Sequence, residues 1–343
     1  MSEHKYSFKN DYSELAHPRM LDALASMADA QFEGYGLDEY SLRAAELIKK
    51  KINDPAAEIH FLSGGTQANQ VVIAGALRPY EAVIACESGH ISTHEAGAIE
   101  VSGHKICAVR SCDGKLTARQ IKEIAENHTD EHMVKPKLVF ISQSTEAGTV
   151  YAKEELKQIS ECCRGAGLIL YIDGARLGAG MCSNACDLSY ADLADMADVF
   201  YIGGTKNGAL FGEAVVICGD ALKQDFRYHM KQRGALLAKG AAIGAQFEEL
   251  FRDGLYEQLA EQANRAAMKL ADGIKNMGYG FLYPAQTNQI FPIFPDETVR
   301  KMHDLYGFYD WQKLDGMTAV RLIVSWAAKQ SAVDEFLADL AKT

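Results

Sequence analysis

The sequence predicts an α/β protein: a mainly parallel sheet covered by helices, followed by a smaller α+β domain. Three observations point there. Short apolar runs alternate with amphipathic stretches through the first two thirds of the 343 residues, the pattern of βα units and a doubly covered sheet. After about residue 233 the alternation stops and a long helical periodicity takes over. Glycines, hydroxyls, a carboxylate and a lysine collect at the ends of the apolar runs, where open α/β sheets bind ligands.

The expected strands are Glu58–Leu62, Ala82–Cys86, Lys105–Val109, Leu138–Ser142, Leu168–Ile172, Val199–Ile202 and Ala214–Cys218. Helical patterns lie between them at Thr66–Leu77, Thr117–Glu126, Lys153–Arg164 and Asp220–Lys231. The second part reads as one long helical stretch, Glu248–Met277, with Leu250, Leu255 and Leu259 at helical spacing. Two strands, Gln289–Phe294 and Ala319–Val324, and a last helix, Ala332–Ala341, follow. The expected division is 1–235 for the large domain with an N-terminal arm and 236–343 for the small one.

Composition narrows the function. A formal net charge of −11 argues against nucleic acid as a partner, because phosphate-backbone binding needs a basic patch. No stretch approaches the ~20 apolar residues of a membrane span, and the polar start MSEHKYSFKNDYSE is unlike a signal peptide. Eight cysteines show no repeated CxxC pair, and several sit in apolar runs as small hydrophobes. A reduced, cytoplasmic setting without a metal is expected.

Four motifs carry the chemistry. In "FLSGGTQANQ" a strand ends at Leu62, and Gly64, Gly65 and Thr66 turn into a helix. Such a turn offers free N–H groups to an anion; the plain alternative is a βα turn capped by Thr66. In "CESGHISTHEAGAIE", His90 is placed to cover a flat ligand or move a proton, or is simply structural. His90 and His94 are four apart with no third ligand for a metal. In "LILYIDGARLGAG", Asp173 ends a very apolar strand, where a carboxylate needs a cation or a donor or else caps the next turn. Arg176 follows at a distance that suits a carboxylate or phosphate. In "GGTKNG", Lys206 sits among glycines after another apolar strand; a desolvated lysine amine forms Schiff bases. Anion loop, ring cover, carboxylate and lysine, in that order, are the parts that pyridoxal 5′-phosphate (PLP) requires.

On "GGTQAN", "ESGHISTHEAGA", "SQSTEAGTVY", "IDGARL", "GGTKNG" and "AVRLIVS", nearly the whole chain resembles the low-specificity L-threonine aldolases. They belong to the aromatic amino acid β-eliminating lyase/threonine aldolase group of PLP enzymes, with the aspartate aminotransferase-like fold (fold type I). The resemblance implies Lys206 as the Schiff-base lysine, Asp173 as the carboxylate on the pyridine nitrogen, Gly65 and Thr66 as the phosphate loop, and His90 as the stacking residue. Arg176 and Arg321 are implied at the substrate carboxylate, although Arg321 read from the residues alone is equally a buried ion pair. Asn10 or Ser13 is implied beside that carboxylate, and Lys239 or Arg233 beside the phosphate. Where many relatives have a histidine, Glu146 stands, so the proton acceptor is His90 or Glu146, with His90 favoured for its unperturbed pKa near 6.5.

The implied reaction is cleavage of L-threonine, L-allo-threonine or a related β-hydroxy-α-amino acid to glycine and an aldehyde. A homodimer or homotetramer with shared active sites is implied as well. The alternatives are another PLP reaction on this fold (β-elimination or transamination), a PLP-binding protein without turnover, or a nucleotide-binding α/β protein that leaves Lys206 and Asp173 unexplained.

Overall fold

The computed structural model describes residues 4–343. Seven strands build the large sheet: β1 Glu58–Leu62, β2 Glu81–Cys86, β3 Ile106–Val109, β4 Lys135–Ser142, β5 Ile169–Asp173, β6 Val199–Gly203 and β7 Glu213–Ile217. Their order is β1-β7-β6-β5-β4-β2-β3. All run in one direction except β7, which is antiparallel to both β1 and β6. Each expected strand is present, shifted by no more than a few residues.

Alternation within the strands explains why both faces are apolar. In β6, Phe200 and Ile202 enter one core cluster, with Leu156, Ile159 and Ile243 of the helices outside. Val199 and Tyr201 enter the other, with Val71, Val72 and Met230. The whole of β6 is buried, as a strand covered on both sides must be.

The small domain holds strands β8 Gly280–Phe281, β9 Gln289–Ile290, β10 Pro292–Pro295, β11 Tyr309–Leu314 and β12 Met317–Ile323, closed by the helix Gln330–Leu340. Three expectations are corrected here. The strand expected over Gln289–Phe294 is two, Gln289–Ile290 and Pro292–Pro295, interrupted at Phe291. The stretch Glu248–Met277 is two helices, Ala241–Arg252 and Leu255–Asn276, broken where Gly254 takes φ +70°. The stretch Asp220–Lys231 is a short 3₁₀ turn and a helix Phe226–Gln232, separated at Asp225 with φ +61°. Both helix breaks are left-handed residues that a continuous helix does not admit.

The apolar core does not divide at 235/236. Ile243, Phe247, Leu250, Leu255, Tyr256 and Leu259 pack in the large-domain cluster, and Ala266, Leu270 and Ile274 pack in the small-domain cluster. The change falls inside the Leu255–Asn276 helix, which serves both cores. The chain start is tied to the small domain: Tyr6–Ser7 pairs in parallel with Tyr306–Gly307, and Ile323 N–H donates to the Phe8 carbonyl at 2.9 Å. This carries residues 10–12 to the carboxyl ends of the large-sheet strands.

Candidate functional site

At those strand ends lies a cavity of about 450 Å³. Its wall includes Asn10, Gly65, Thr66, His90, Glu146, Asp173, Arg176, Lys206 and Arg321, nine of the residues singled out from the sequence. Three others are elsewhere. Arg233 is half-buried and absent from the wall. Ser13 is exposed and donates its hydroxyl to Asn10 Oδ1 at 3.0 Å, so it serves the wall through Asn10. Lys239 is exposed and is absent from the wall.

The helix Gly65–Ala76 starts at the cavity. Its N-cap is Gly64, with no side-chain cap, so the expected alternative of a Thr66 cap does not hold. Uncapped N–H groups at a helix start favour an anion. A Cβ at Gly64 would meet nothing within 4 Å; the space in front of the turn is open.

Lys206 follows β6 through Gly203, Gly204 and Thr205. The glycines are there for packing: a Cβ on Gly203 would come within 2.5 Å of the Ala175 carbonyl, and one on Gly204 within 2.9 Å of the Gly212 carbonyl. They let the lysine turn lie flat against the turn that follows Asp173. Burial first, then the Arg176 charge, lowers the Lys206 amine below its usual range. This raises the share of neutral, nucleophilic amine.

Asp173 is 4% exposed. Oδ1 accepts from Tyr201 Oη at 2.5 Å and from Ala175 N–H at 2.9 Å, and Oδ2 accepts from Asn69 Nδ2 at 3.3 Å. It therefore does cap its turn, while also presenting a carboxylate to the cavity. Asn69 joins two carboxylates, because the same Nδ2 donates to Glu95 Oε1 at 2.6 Å. Glu95 in turn holds His90 Nδ1 at 2.7 Å. A carboxylate there makes Nδ1 the protonated nitrogen and leaves Nε2 as the free one.

Glu146 Oε1 accepts from Ser142 Oγ at 2.9 Å and from the His90 N–H at 3.0 Å. Burial, and then the charge of Asp173, raises its carboxyl above the usual range.

The two arginines differ. Arg176 is already paired: Nε and Nη2 donate to the two oxygens of Asp11 at 2.7 and 3.1 Å, and Asn288 Nδ2 adds a third donor at 3.0 Å. Burial would raise Asp11, but the charges of Arg176 and Lys206 outweigh it and hold the carboxyl low. Arg321, on β12, lies over the rings of Tyr309 and Trp311, at 5.3 and 5.1 Å from the centroids. Its Nε is buried without a partner. Among the described residues no carboxylate pairs with it, so the buried ion pair considered from sequence is absent. A stacked, unpaired guanidinium facing a cavity suits a ligand carboxylate.

Sequence reasoning missed Asp11, Asn69, Glu95, Tyr201 and Glu213. Asp11 and Glu95 lay inside quoted motifs, but their partners are 165 and five residues away. Glu213 begins β7, paired with Leu62 on one side and Gly203 on the other, between the anion loop and the lysine turn. Oε1 accepts from Thr205 Oγ1 at 2.9 Å, and burial lifts the carboxyl to about 8. The folded chain therefore keeps a proton here that the unfolded chain loses near ~4.3. The stability linked to it is full below that pH and is lost as pH rises towards 8. In ligand-free protein, Glu213→Gln is expected to flatten the fall of Tm between pH 5 and 8.5. Identical slopes in variant and wild type would show that Glu213 ionises in the folded state at no cost.

A family model described as beta-eliminating lyase matches residues 12–296. The low specificity L-threonine aldolases of a Pseudomonas strain and of Pseudomonas aeruginosa are each 32% identical to this chain, over 99% of it and 98% of their own length. A Leishmania major threonine aldolase structure superposes with a TM-score of 0.97 at 45% identity, over 98% of this chain and 99% of that one. An aspartate aminotransferase of Thermus thermophilus shares the fold, with a TM-score of 0.74 at 14% identity, over 99% of this chain and 91% of that one.

Proposed function

The chain belongs to the beta-eliminating lyase family, and we propose that it cleaves L-threonine, L-allo-threonine or a related β-hydroxy-α-amino acid to glycine and an aldehyde, with PLP as cofactor. One observation carries this reading: Lys206, Asp173, the open helix start at Gly64–Thr66 and the unpaired Arg321 share one cavity wall. The residues fit the cofactor. The uncapped helix start with open space before Gly64 would receive its phosphate, and Asp173 would offer a buried carboxylate to its ring nitrogen. His90, held by Glu95, would cover the ring, and Lys206 would offer the amine.

PLP, when bound, supplies an electron sink through its protonated pyridine ring. The protein does the rest. Asp173, which accepts from Tyr201, Asn69 and the Ala175 N–H, would present its carboxylate to the ring nitrogen. Arg321 grips the substrate carboxylate with its free guanidinium edge. Arg176 orders the arm residue Asp11 and, through the arm, places Asn10 on the wall. A proton must leave the β-hydroxyl, and His90 Nε2 and the raised Glu146 carboxyl are the acceptors expected from the sequence.

Product analysis tests the reading. Incubation with a panel of β-hydroxy amino acids is expected to give glycine and the matching aldehyde. Ammonia with a keto acid would replace cleavage by β-elimination, and no product would reduce the protein to a PLP binder. The contacts are tested separately. Thr66→Val is expected to weaken PLP binding with substrate affinity kept. Arg321→Leu is expected to leave PLP binding intact and raise KM for threonine by about 10- to 100-fold, the worth of one charged hydrogen-bonding pair. PLP lost in Arg321→Leu, with KM raised in Thr66→Val, would reverse the two assignments.

A further inference from the structure

Nearly every ionisable group on the cavity wall is committed to a protein partner. His90 Nδ1 is held by Glu95, Glu146 by Ser142 and the His90 N–H, Asp173 by Tyr201, and Arg176 by Asp11. Glu213 is engaged by Thr205 through Oε1. Lys206 and Arg321 are free, and both have tasks in the reading above. The second histidine of the wall is free as well. His94 lines the cavity, and among the described residues neither of its ring nitrogens makes a hydrogen bond.

Local backbone geometry puts it there. The short helix His90–Thr93 ends at His94, whose N–H donates to the His90 carbonyl at 2.9 Å. Ala96 and Gly97 then take φ +49° and +77°, and the chain reverses. Glu95 turns inward and is fully buried at its side chain, while His94 stays exposed at the cavity mouth. Its ring centroid lies 5.6 Å from that of His90, with the planes at 56°.

The charged groups that face His94 are His90 on its own turn, Arg321 from β12 and Lys206 from the lysine turn. Burial first, and then these three, lower its imidazole below the usual range. The ring is therefore neutral and able to accept a proton at neutral pH. It shares the cavity wall with Lys206 and Arg321, the lysine and the carboxylate-binding group of the functional reading, and both are close enough for their charge to act on it.

We propose that His94 is a catalytic residue of this site, the group that accepts the β-hydroxyl proton of the substrate and returns it to solvent. The inference rests on the aldolase reading and refines it. The O–H bond breaks and an N–H bond forms on the imidazole. The oxygen electron pair becomes the second C–O bond of the aldehyde as the Cα–Cβ bond breaks. The pair of that bond stays with the α-carbon, which takes one proton from solvent as His94 releases one, so protons balance. His90, fixed by Glu95, is then a ring-covering residue, and Glu146 is a support for the His90 backbone.

The test compares His94→Asn and His94→Gln with His90→Asn and Glu146→Gln in PLP-loaded protein. Three quantities are read: absorbance of the lysine-bound cofactor, exchange of the glycine α-proton in D₂O, and threonine cleavage. Exchange needs the cofactor and Lys206 but no β-hydroxyl acceptor. Both His94 variants are expected to keep the absorbance and to exchange within about threefold of wild type, while cleavage falls about 10²- to 10³-fold, the range of a lost general base. A readout independent of turnover is carbethoxylation of histidines by diethyl pyrocarbonate, mapped by peptide mass. His94 is expected to react faster than His90, with a rate that no longer rises above about pH 6.5. Cleavage within threefold of wild type in the His94 variants, exchange lost in parallel with cleavage, or selective loss in Glu146→Gln or His90→Asn instead, would each overturn the assignment. Wild-type protein that yields no glycine from any β-hydroxy amino acid would overturn the aldolase reading itself, whatever the variants do.

Discussion

Lys206→Ala is expected to abolish the absorbance of lysine-bound PLP and to lower cleavage by about 10⁴-fold or more, the scale of losing a covalent nucleophile. The expectation follows from the wall of the cavity, where Lys206 is the lysine that lines it. Lys239, considered from sequence, is exposed and does not reach it. The amine is also prepared, since burial and the Arg176 charge favour its neutral form. Folding should survive, because Lys206 makes no hydrogen bond whose loss would leave a buried partner, and Gly203 and Gly204, which set the turn, are unchanged. Borohydride reduction of wild type followed by peptide mapping is expected to place the pyridoxyl group on Lys206. Finding it on another lysine would remove the residue from the mechanism.

Asp173→Asn is expected to give the second largest loss. The substitution keeps the shape and, with its oxygen in the place of Oδ1, the contacts from Tyr201 and the Ala175 N–H. It gives up the contact from Asn69, which would face an amide donor, and it removes the charge offered to a ring nitrogen. A pair of unit charges about 4 Å apart is worth about 4 kcal/mol at an effective dielectric near 20, so cleavage should fall about 10³-fold. PLP should still bind, more weakly, through the helix start and Lys206. Near-normal turnover in Asp173→Asn would reduce the carboxylate to the turn cap that its bond to the Ala175 N–H already makes it.

Much of the site was legible because its groups lie in short motifs at strand ends. Each motif is a strand, a turn and a helix start, and local propensity places it. Gly64–Thr66, His90, Asp173 and Lys206 needed only the rule that ligands gather at the carboxyl ends of an open sheet, and all four line the same cavity. The glycines before Lys206 have a packing cause. They report the close approach of two turns, which only the packed structure displays.

The partners were not legible. Asp11 meets Arg176 across 165 residues, and Asn69 meets Asp173 across 104. Nothing in either local sequence encodes such a meeting. The roles of the two arginines differ for this reason: one is filled by the arm, and the other is left open by Tyr309 and Trp311, which stack on it without neutralising it. The helix breaks at Asp225 and Gly254 were similarly hidden, because apolar periodicity continues through them.

By itself the sequence determined the α/β class, the strand positions and the placing of Lys206, Asp173 and the Gly64–Thr66 turn at strand ends, since these follow from periodicity and turn chemistry over a few residues. Tertiary structure alone decided which of those groups remain free to act. The freedom of Arg321 and His94, the commitment of Arg176 and His90, and the raised Glu146 and Glu213 carboxyls all depend on burial and on charges brought together from distant parts of the chain, where desolvation and Coulomb energy, not local propensity, set the outcome.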